Sequence, residues 1–412
     1  MRRTSRSLSL LGLLGCLAAG VAAHADDEPA RLRLSGFGTL GAAYHTGNGL
    51  EYRRTTSQSQ GVRGGRLDLG TDSVLGAQMN ARLTDQFDAV IQVVSRQQSD
   101  SSWNPEINWG FLRYNPDESL EVRVGRVGAA TQLNGDSRLI GYSFLPVRAA
   151  PELLGMNPHE HLDGFDVAYR RPVGDTLFSI KGFLGYQSAH IHSNGHRVRI
   201  PSNEVGGVIF GAVHGDFQLR FVTGAARVKN NGDGQAVIDG LRATGMSQAS
   251  AAADRLDSAG RVVRFGAADL AFERGPLRLL GSVFWQSAPD DAAALVDTRS
   301  AYFLAGYRLG NLTPYFSAAR ATTSGVSLTT GLPPVPGLML LDQAATAAVT
   351  ASQFNQRSVA LGVRWDFATN RALKFQVDRV HAGLSPLVRD LATPARDQRT
   401  LTLFSATLDF VF

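Results

Sequence analysis

The chain ends in TLTLFSATLDFVF, residues Thr400 to Phe412, and this stretch alternates without a break. Phe404, Ala406, Leu408, Phe410 and Phe412 share one face; Leu403, Ser405, Thr407, Asp409 and Val411 share the other. A period of two is that of a β-strand, whose successive side chains point to opposite faces. One row is apolar and ends on a phenylalanine, while the other carries an aspartate. That pairing predicts a strand with lipid on one side and water on the other. An amphipathic edge strand closing a soluble β-domain is the competing reading, and the rest of the chain decides between them.

At the opposite end Arg2, Arg3 and Arg6 precede an apolar run from Leu8 to about Val21, followed by Ala23, His24 and Ala25 in an A-x-A pattern. This predicts a secretory signal peptide over residues 1–25, with the mature domain spanning 26–412. Cys16 follows Leu13, Leu14 and Gly15, so lipidation there is the alternative to cleavage after Ala25. Removing residues 1–25 takes away three arginines and no acid, so the formal charge falls from +5 to +5 − 3 = +2. The basic balance is thus largely that of the leader, which argues against a nucleic-acid partner. The only cysteine lies in the same segment, so no disulfide or thiolate metal site is expected in the mature chain.

Alternation recurs along the whole chain. Leu32, Leu34, Leu40 and Tyr44 oppose Arg33, Ser35, Phe37 and Thr39; Leu75, Ala77, Met79 and Ala81 oppose Gly76, Gln78, Asn80 and Arg82. Thr84–Gln86 then turns the chain into a return strand from Phe87. Further tight turns fall near Asn115–Asp117, Pro172–Gly174, His214–Asp216, Glu273–Pro276, Gly310–Leu312 and Ala368–Arg371, each with the Gly, Pro, Asn or Asp that turns favour. Long polar connections lie between them, near 45–71, 97–105, 128–162, 188–203, 229–260, 288–298, 322–355 and 382–399. Seven tight turns and eight long loops predict sixteen antiparallel strands, all short turns at one end, in a transmembrane barrel. Aromatics gather beside the short turns, as Phe87, Tyr114, Tyr169, Phe217, Phe272, Trp365, Phe367 and Phe410 do, which predicts an interfacial belt.

With GFGTLG at 36–41, RVGR at 123–126, RAAPELLG at 148–155, HLDGFDVAYRRPVGD at 161–175, LGVRWDF at 361–367 and the ending SATLDFVF, the chain resembles the sixteen-stranded, trimeric porins of Gram-negative outer membranes. The resemblance covers the whole mature sequence. It implies short periplasmic turns, long extracellular loops, and a third loop, Gly128 to Leu162, folded into the lumen. It also implies a homotrimer surrounded by lipopolysaccharide and assembled by the barrel-insertion machinery. No cofactor is implied.

The inner face of the predicted strands carries Arg33, Arg82, Arg96, Arg123, Arg170, Lys181, Arg220, Arg278, Arg308, Arg364 and Lys374, against Asp88, Glu121, Asp166, Asp366, Asp378 and Asp409. The registers near 107 and 265 stay open. The third loop adds Asp136, Arg138, Arg148, Glu152 and Glu160, with Asp163 just beyond. With Arg33, Arg82, Arg96 and Arg123 these are the candidate constriction residues. Because bases outnumber acids, the expectation is passive diffusion of small hydrophilic solutes with a mild anion preference, strongest where the loop approaches Arg82 and Arg123. Two histidine clusters, His159/Glu160/His161/Asp163 and His190/His192/His196, lack metal-site spacing and read as solvated loop residues. No G-x-S-x-G is present, and a lipase or protease barrel is the rival class; an adhesive or structural barrel is a third. Apolar Gly331–Leu341 followed by LDQAATAAVTA predicts a short helix packed on other loops.

Overall fold

The computed structural model describes residues 31–128, 131, 135–193, 195–391 and 398–412. The signal-peptide reading and Cys16 lie outside them. Eight strands fill the first half: β1 (Leu32–His45), β2 (Val74–Arg82), β3 (Phe87–Arg96), β4 (Glu106–Tyr114), β5 (Leu120–Gly128), β6 (His161–Val173), β7 (Thr176–Gln187) and β8 (Asn203–His214). The second half supplies β9 (Phe217–Val228), β10 (Val262–Arg274), β11 (Leu277–Ser287), β12 (Thr298–Tyr307), β13 (Leu312–Thr323), β14 (Asn355–Ala368), β15 (Arg371–Ala382) and β16 (Arg399–Val411). Each pairs with its chain neighbour and β16 pairs with β1, which closes an antiparallel barrel without an edge. Seven connections are short and fall at one end; the long loops fall at the other.

Side-chain exposure follows the predicted parity. On β16 Leu401, Leu403, Ser405, Thr407 and Asp409 are buried inward, whereas Phe404 and Phe412 are exposed on the outside. The aromatic belt forms at the short-turn end, where Phe87 stacks on Tyr114 at 4.6 Å, Phe217 meets Phe272 at 4.8 Å and Trp365 meets Phe367 at 5.7 Å between ring centroids. Near residue 107 the register shifts: Gln92 opposes Trp109 but Val93 opposes Ile107, so Asn108 is an extra residue in β4. Near 265 the pairing is regular, with Val263 buried inward. There Val263 and Ala267 point in while Arg264, Gly266 and Ala268 point out, so the apolar-outward pattern does not fix this register, and at 107 the bulge breaks the alternation.

Closure rests on glycines in β1. Gly38 pairs with Phe410, and a methyl group at Gly38 would fall 2.3 Å from the Phe410 ring; one at Gly36 would fall 2.4 Å from the Phe412 ring. The two terminal aromatics therefore lie across the glycines on the outer face, in the manner by which rings cover strand glycines elsewhere. Valine at both positions should unseat both rings, at about 1–3 kcal/mol per site for overpacking. The readout is heat-modifiable gel migration of the refolded barrel. Migration and midpoint equal to the parent's would remove this account of closure.

Two further assemblies cap the long-loop end. Short strands Leu50–Tyr52, Val62–Arg63 and Val388–Asp390 form a small antiparallel sheet, and its Leu50, Tyr52, Val62 and Val388 pack on Ala43, Val380, Leu401 and Leu403 of the barrel. Helices from other loops form the second cap. The third loop itself carries a single turn, α1 (Pro151–Leu154), while α2 (Gln235–Ala243), α3 (Ser247–Leu256) and α4 (Leu338–Ser352) bury Ile238, Leu241, Ala252, Ala253, Leu256, Ala345 and Val349 against one another. The helix predicted after Leu341 thus packs on other loops, and no described helix is long and apolar enough to cross a membrane.

Candidate functional site: the third loop and the wall facing it

The segment between β5 and β6 turns into the lumen and lies along β1 and β12–β16. A loop inside a barrel must have its backbone groups satisfied by the wall. Here wall cations do this. Lys374 Nζ donates to the carbonyls of Gly141 at 2.7 Å and Pro146 at 3.0 Å and pairs with Asp409 at 3.0 Å. Arg364 donates to the carbonyls of Tyr142 at 2.7 Å and Phe144 at 2.8 Å. Val147 N–H and the Tyr315 hydroxyl both donate to Gln376 Oε1, at 3.0 and 2.8 Å. At Gly141 a Cβ would stand 2.3 Å from both Asp409 Oδ1 and Thr39 Oγ1, so only glycine lets the loop approach this closely.

Arg148 is the central strut. It is 1% exposed and bridges Asp72 Oδ2 at 2.6 Å, Asp378 Oδ2 at 3.2 Å and Ser405 Oγ at 2.6 Å. Burial alone would push the Asp72 carboxyl up, but the Arg148 guanidinium outweighs it and holds the group below its ordinary range. Glu152 is buried next to it and accepts Gln356 Nε2 at 2.8 Å; burial raises its pKa. A second anchor holds the neck of the loop: Glu160 pairs with Arg96 at 2.7 Å and Arg138 at 2.8 Å. Burial opposes ionisation there, yet Arg96 and then Arg138 take the Glu160 carboxyl down to about 2. Neighbouring His159 is half-buried rather than solvated, and desolvation followed by repulsion from Arg138 lowers it to about 4.

The opposite wall, left uncovered by the loop, bears a ladder of charges across β5, β6, β7, β9 and β10. Arg123 grips Asp166 through two bonds of 2.9 and 2.5 Å, and Lys181 reaches the same carboxylate at 3.1 Å. Arg220 pairs with Asp269 at 2.6 Å, which also accepts Ser282 Oγ at 2.6 Å. The exposures are unequal: Arg123, Lys181 and Arg220 are 19, 20 and 17% exposed, whereas Asp166 and Asp269 are 1 and 4%. A solute therefore meets these three cationic ends before Asp166 and Asp269, although Glu121, 3.8 Å from Arg123, is as exposed as Arg123. Between this wall and Ser143–Leu154 lies a cavity of about 220 Å³, lined on the wall side by Gln218, Arg220, Asp269, Glu273 and Arg278. A second, of about 400 Å³, lies nearer the long loops beside Arg96, Glu106, Asn108 and Glu160.

Set against the sequence-predicted residues, the structure brings Arg96, Arg138 and Glu160 together, and separately gathers Arg148 and Glu152 under the loop. Asp136 is exposed on the loop. Arg82 is not approached by the loop; it sits at the short-turn rim and pairs with Asp85 at 3.0 Å, and Arg33, opposite Asn80, shares that rim. Arg123 is on the lumen wall but neutralised by Asp166. Asp163 turns outward, sharing parity with exposed Phe165 and Tyr169, and binds Arg126 at 2.7 Å on the outer face. The four residues of the first histidine cluster therefore diverge. Asp72, Lys374 and Asp409, which complete the anchors, escaped the candidate set because nothing in a strand's alternation says which inward charge a distant loop will cover.

A closed sixteen-stranded barrel with one long loop stapled inside is the porin fold. Among solved structures the chain is similar to the outer membrane channel DcaP of Acinetobacter baumannii, at 12% identity and a TM-score of 0.54, covering 95% of this chain and 100% of that one. It is also similar to Salmonella typhi OmpF in complex with daunomycin (12% identity, TM-score 0.53, 92% and 97% covered) and to a loop-deletion form of the Vibrio cholerae outer membrane protein OmpT (10%, 0.53, 93% and 100%). A further structure of OmpT is described as a trimer form. No family model and no curated protein matches the sequence. At these identities the likeness is one of fold.

Proposed function

We propose that this protein is an outer-membrane channel, not an enzyme, that passes small hydrophilic solutes by diffusion and mildly prefers anions. The observation that carries this reading is the asymmetry of the ladder: Arg123, Lys181 and Arg220 present their charged ends to the lumen above carboxylates that are nearly sealed. Charges in a narrow, water-poor passage are weakly screened, so this layer weighs more than the rim arginines Arg33 and Arg82. The preference is mild because the pairs leave little net charge. The trimer form among the similar structures supports a homotrimer, and we place it in outer-membrane lipid containing lipopolysaccharide, delivered by the barrel-insertion machinery.

Reversal potentials in planar bilayers under a salt gradient test the reading. The parent should favour anions, and Lys181→Glu with Arg220→Glu should invert the preference, because two exposed positive ends become negative. Cation selectivity in the parent, or a preference indifferent to the double change, would overturn the assignment of the ladder. Turnover of phospholipid or of a mixed peptide library by the same preparation would overturn the channel reading itself.

A further inference from the structure

The lumen of a barrel of this kind is ordinarily polar, yet the inner face around the β9–β11 end of the ladder is not. Arg220, Asp269 and Ser282 form one rung of the inner wall, since Arg220 opposes Asp269 and Asp269 opposes Ser282 in the register. On the long-loop side the next inward rung is Val222, Ala267 and Phe284. On the short-turn side it is Gln218, Ala271, Leu280 and Leu304. Val222 and Ala267 are buried in the wall, whereas Leu280 and Phe284 are half-buried. Phe265, further along the same face of β10, lies across Gly224, where a Cβ would fall 2.6 Å from its ring. The charged rung is therefore set between two mostly hydrocarbon ones.

The third loop closes this part of the lumen with more hydrocarbon. Among the described residues, those it turns to the cavity of about 220 Å³ are apolar apart from Ser143 and Arg148, and Leu145 packs with Leu304 and Tyr315. Arg148 is engaged by Asp72, Asp378 and Ser405. Arg278 and Glu273, nearer the short turns, pair with each other at 2.8 Å. Arg220, 17% exposed above an Asp269 that is 4% exposed, is thus the cation that faces the apolar side of the loop. A wholly hydrophilic anion brought here finds a partner at one end and loses water to hydrocarbon along the rest of its length. An anion with an apolar body gains at both ends.

Resting on the channel reading above, we infer that this stretch of the lumen is a binding site for small monocarboxylates with an apolar body. The carboxylate lies on Arg220, and the hydrocarbon lies between Leu280 and Phe284 of the wall and the loop around Leu145. A mostly apolar lining with one well-placed polar group is the make-up of a small-molecule site rather than of a water-filled bore. The volume is below that of pockets for drug-sized ligands, which limits the body to a few carbons. Arg220 serves any anion that passes. Leu280 and Phe284 are the residues that set specificity among anions, because only they distinguish a chain of methylenes from a chain of hydroxyls.

Chloride current through the channel in planar bilayers, titrated at pH 8 with acetate, butanoate, hexanoate and gluconate, tests the inference. In the parent the half-blocking concentration should fall about two- to fourfold for each added methylene, the upper figure being that of a fully buried one. Gluconate, larger but hydroxylated, should block no better than acetate. Leu280→Gln with Phe284→Gln should compress the whole series from acetate to hexanoate to within about twofold, whereas Phe284→Leu, which keeps the surface apolar, should preserve it. A flat series in the parent, block by gluconate equal to that by hexanoate, or an undiminished series in the double variant would each overturn the inference. Heat-modifiable migration confirms that every variant is folded, and bilayers without protein give the background. The anion preference itself is read with chloride alone. A channel that favours chloride but is indifferent to chain length therefore separates failure of this site from failure of the channel reading.

Discussion

Replacing Arg148 by methionine is expected to free the third loop from the wall while the barrel stays closed. Methionine keeps the stem but removes the cation that Asp72 and Asp378 share, leaving Asp378 with no ion pair among the described residues and Asp72 with only the field of Arg54. Breaking a buried pair from one side costs about 3–5 kcal/mol, so the population of released loop should rise roughly 10²- to 5 × 10³-fold. Trypsin reads this directly: Arg138 is tucked against Glu160 and Asn157 in the parent and should become a cleavage site in the variant. Adding Asp72→Asn and Asp378→Asn should restore much of the protection, because the uncompensated charge is gone. Uncut loop in the single variant, with unchanged conductance, would show that the carbonyl staples of Lys374 and Arg364 suffice without the strut.

The neck of the loop should loosen in acid, in two stages. His159 is held neutral with its pKa down at about 4, so the released loop takes up a proton more readily than the docked one between about pH 6.5 and 4, and docking weakens as the pH falls through that window. Glu160, at about 2 against an ordinary 4.5, contributes docking energy that is fully present above about pH 4.5 and lost as the pH falls towards 2. Each shift corresponds to roughly 3 kcal/mol. Hydrogen exchange of peptides covering 135–160 should therefore accelerate from pH 6.5 downwards after correction for intrinsic rates. His159→Phe should flatten the upper stage alone. Glu160→Gln should raise exchange already at pH 7, since Arg96 and Arg138 then face each other across a neutral amide. An unaltered acid profile in His159→Phe would exclude the imidazole as the cause.

Much of this architecture was legible before any coordinates. Period-two alternation, turn residues at regular intervals and the unequal lengths of the connections suffice for strand number, order and closure, because only one face of each strand meets lipid. Parity also carried more than was drawn from it. Asp163 shares its row with Phe165, Val167 and Tyr169, which places it outside, and Arg82 stands two residues before the Thr84–Gln86 turn, which places it at the rim. What alternation cannot carry is the lateral meeting of loop and wall. Arg148 reads like a lumen charge, but its partners lie on β15 and in the first loop, and burial converts it from a charge a solute could meet into a strut. The ladder was half visible: Lys181 and Arg220 fall on the inner face by parity, whereas the near-complete burial of Asp166 and Asp269 beneath them is a property of packing.

The anchoring of the third loop also sets an order of events. The loop is encoded in the first two-fifths of the chain, and early partners such as Thr56, Asp72 and Arg96 hold it, yet most of its fixed partners, Gln356, Arg364, Lys374, Gln376, Asp378, Ser405 and Asp409, arrive with the last three strands. Contacts so distant along the chain form late, because the intervening segment must first be organised. A chain halted before β14 would thus hold an unseated loop between half-built walls. The narrowing of the lumen and the sealing of the β1–β16 seam then become one terminal step, in which Asp409 both takes its hydrogen bond from Thr39 at 2.5 Å across the seam and receives Lys374 beneath the loop. An incompletely zipped barrel would be leaky by construction, and the same aspartate would report the completion of both processes.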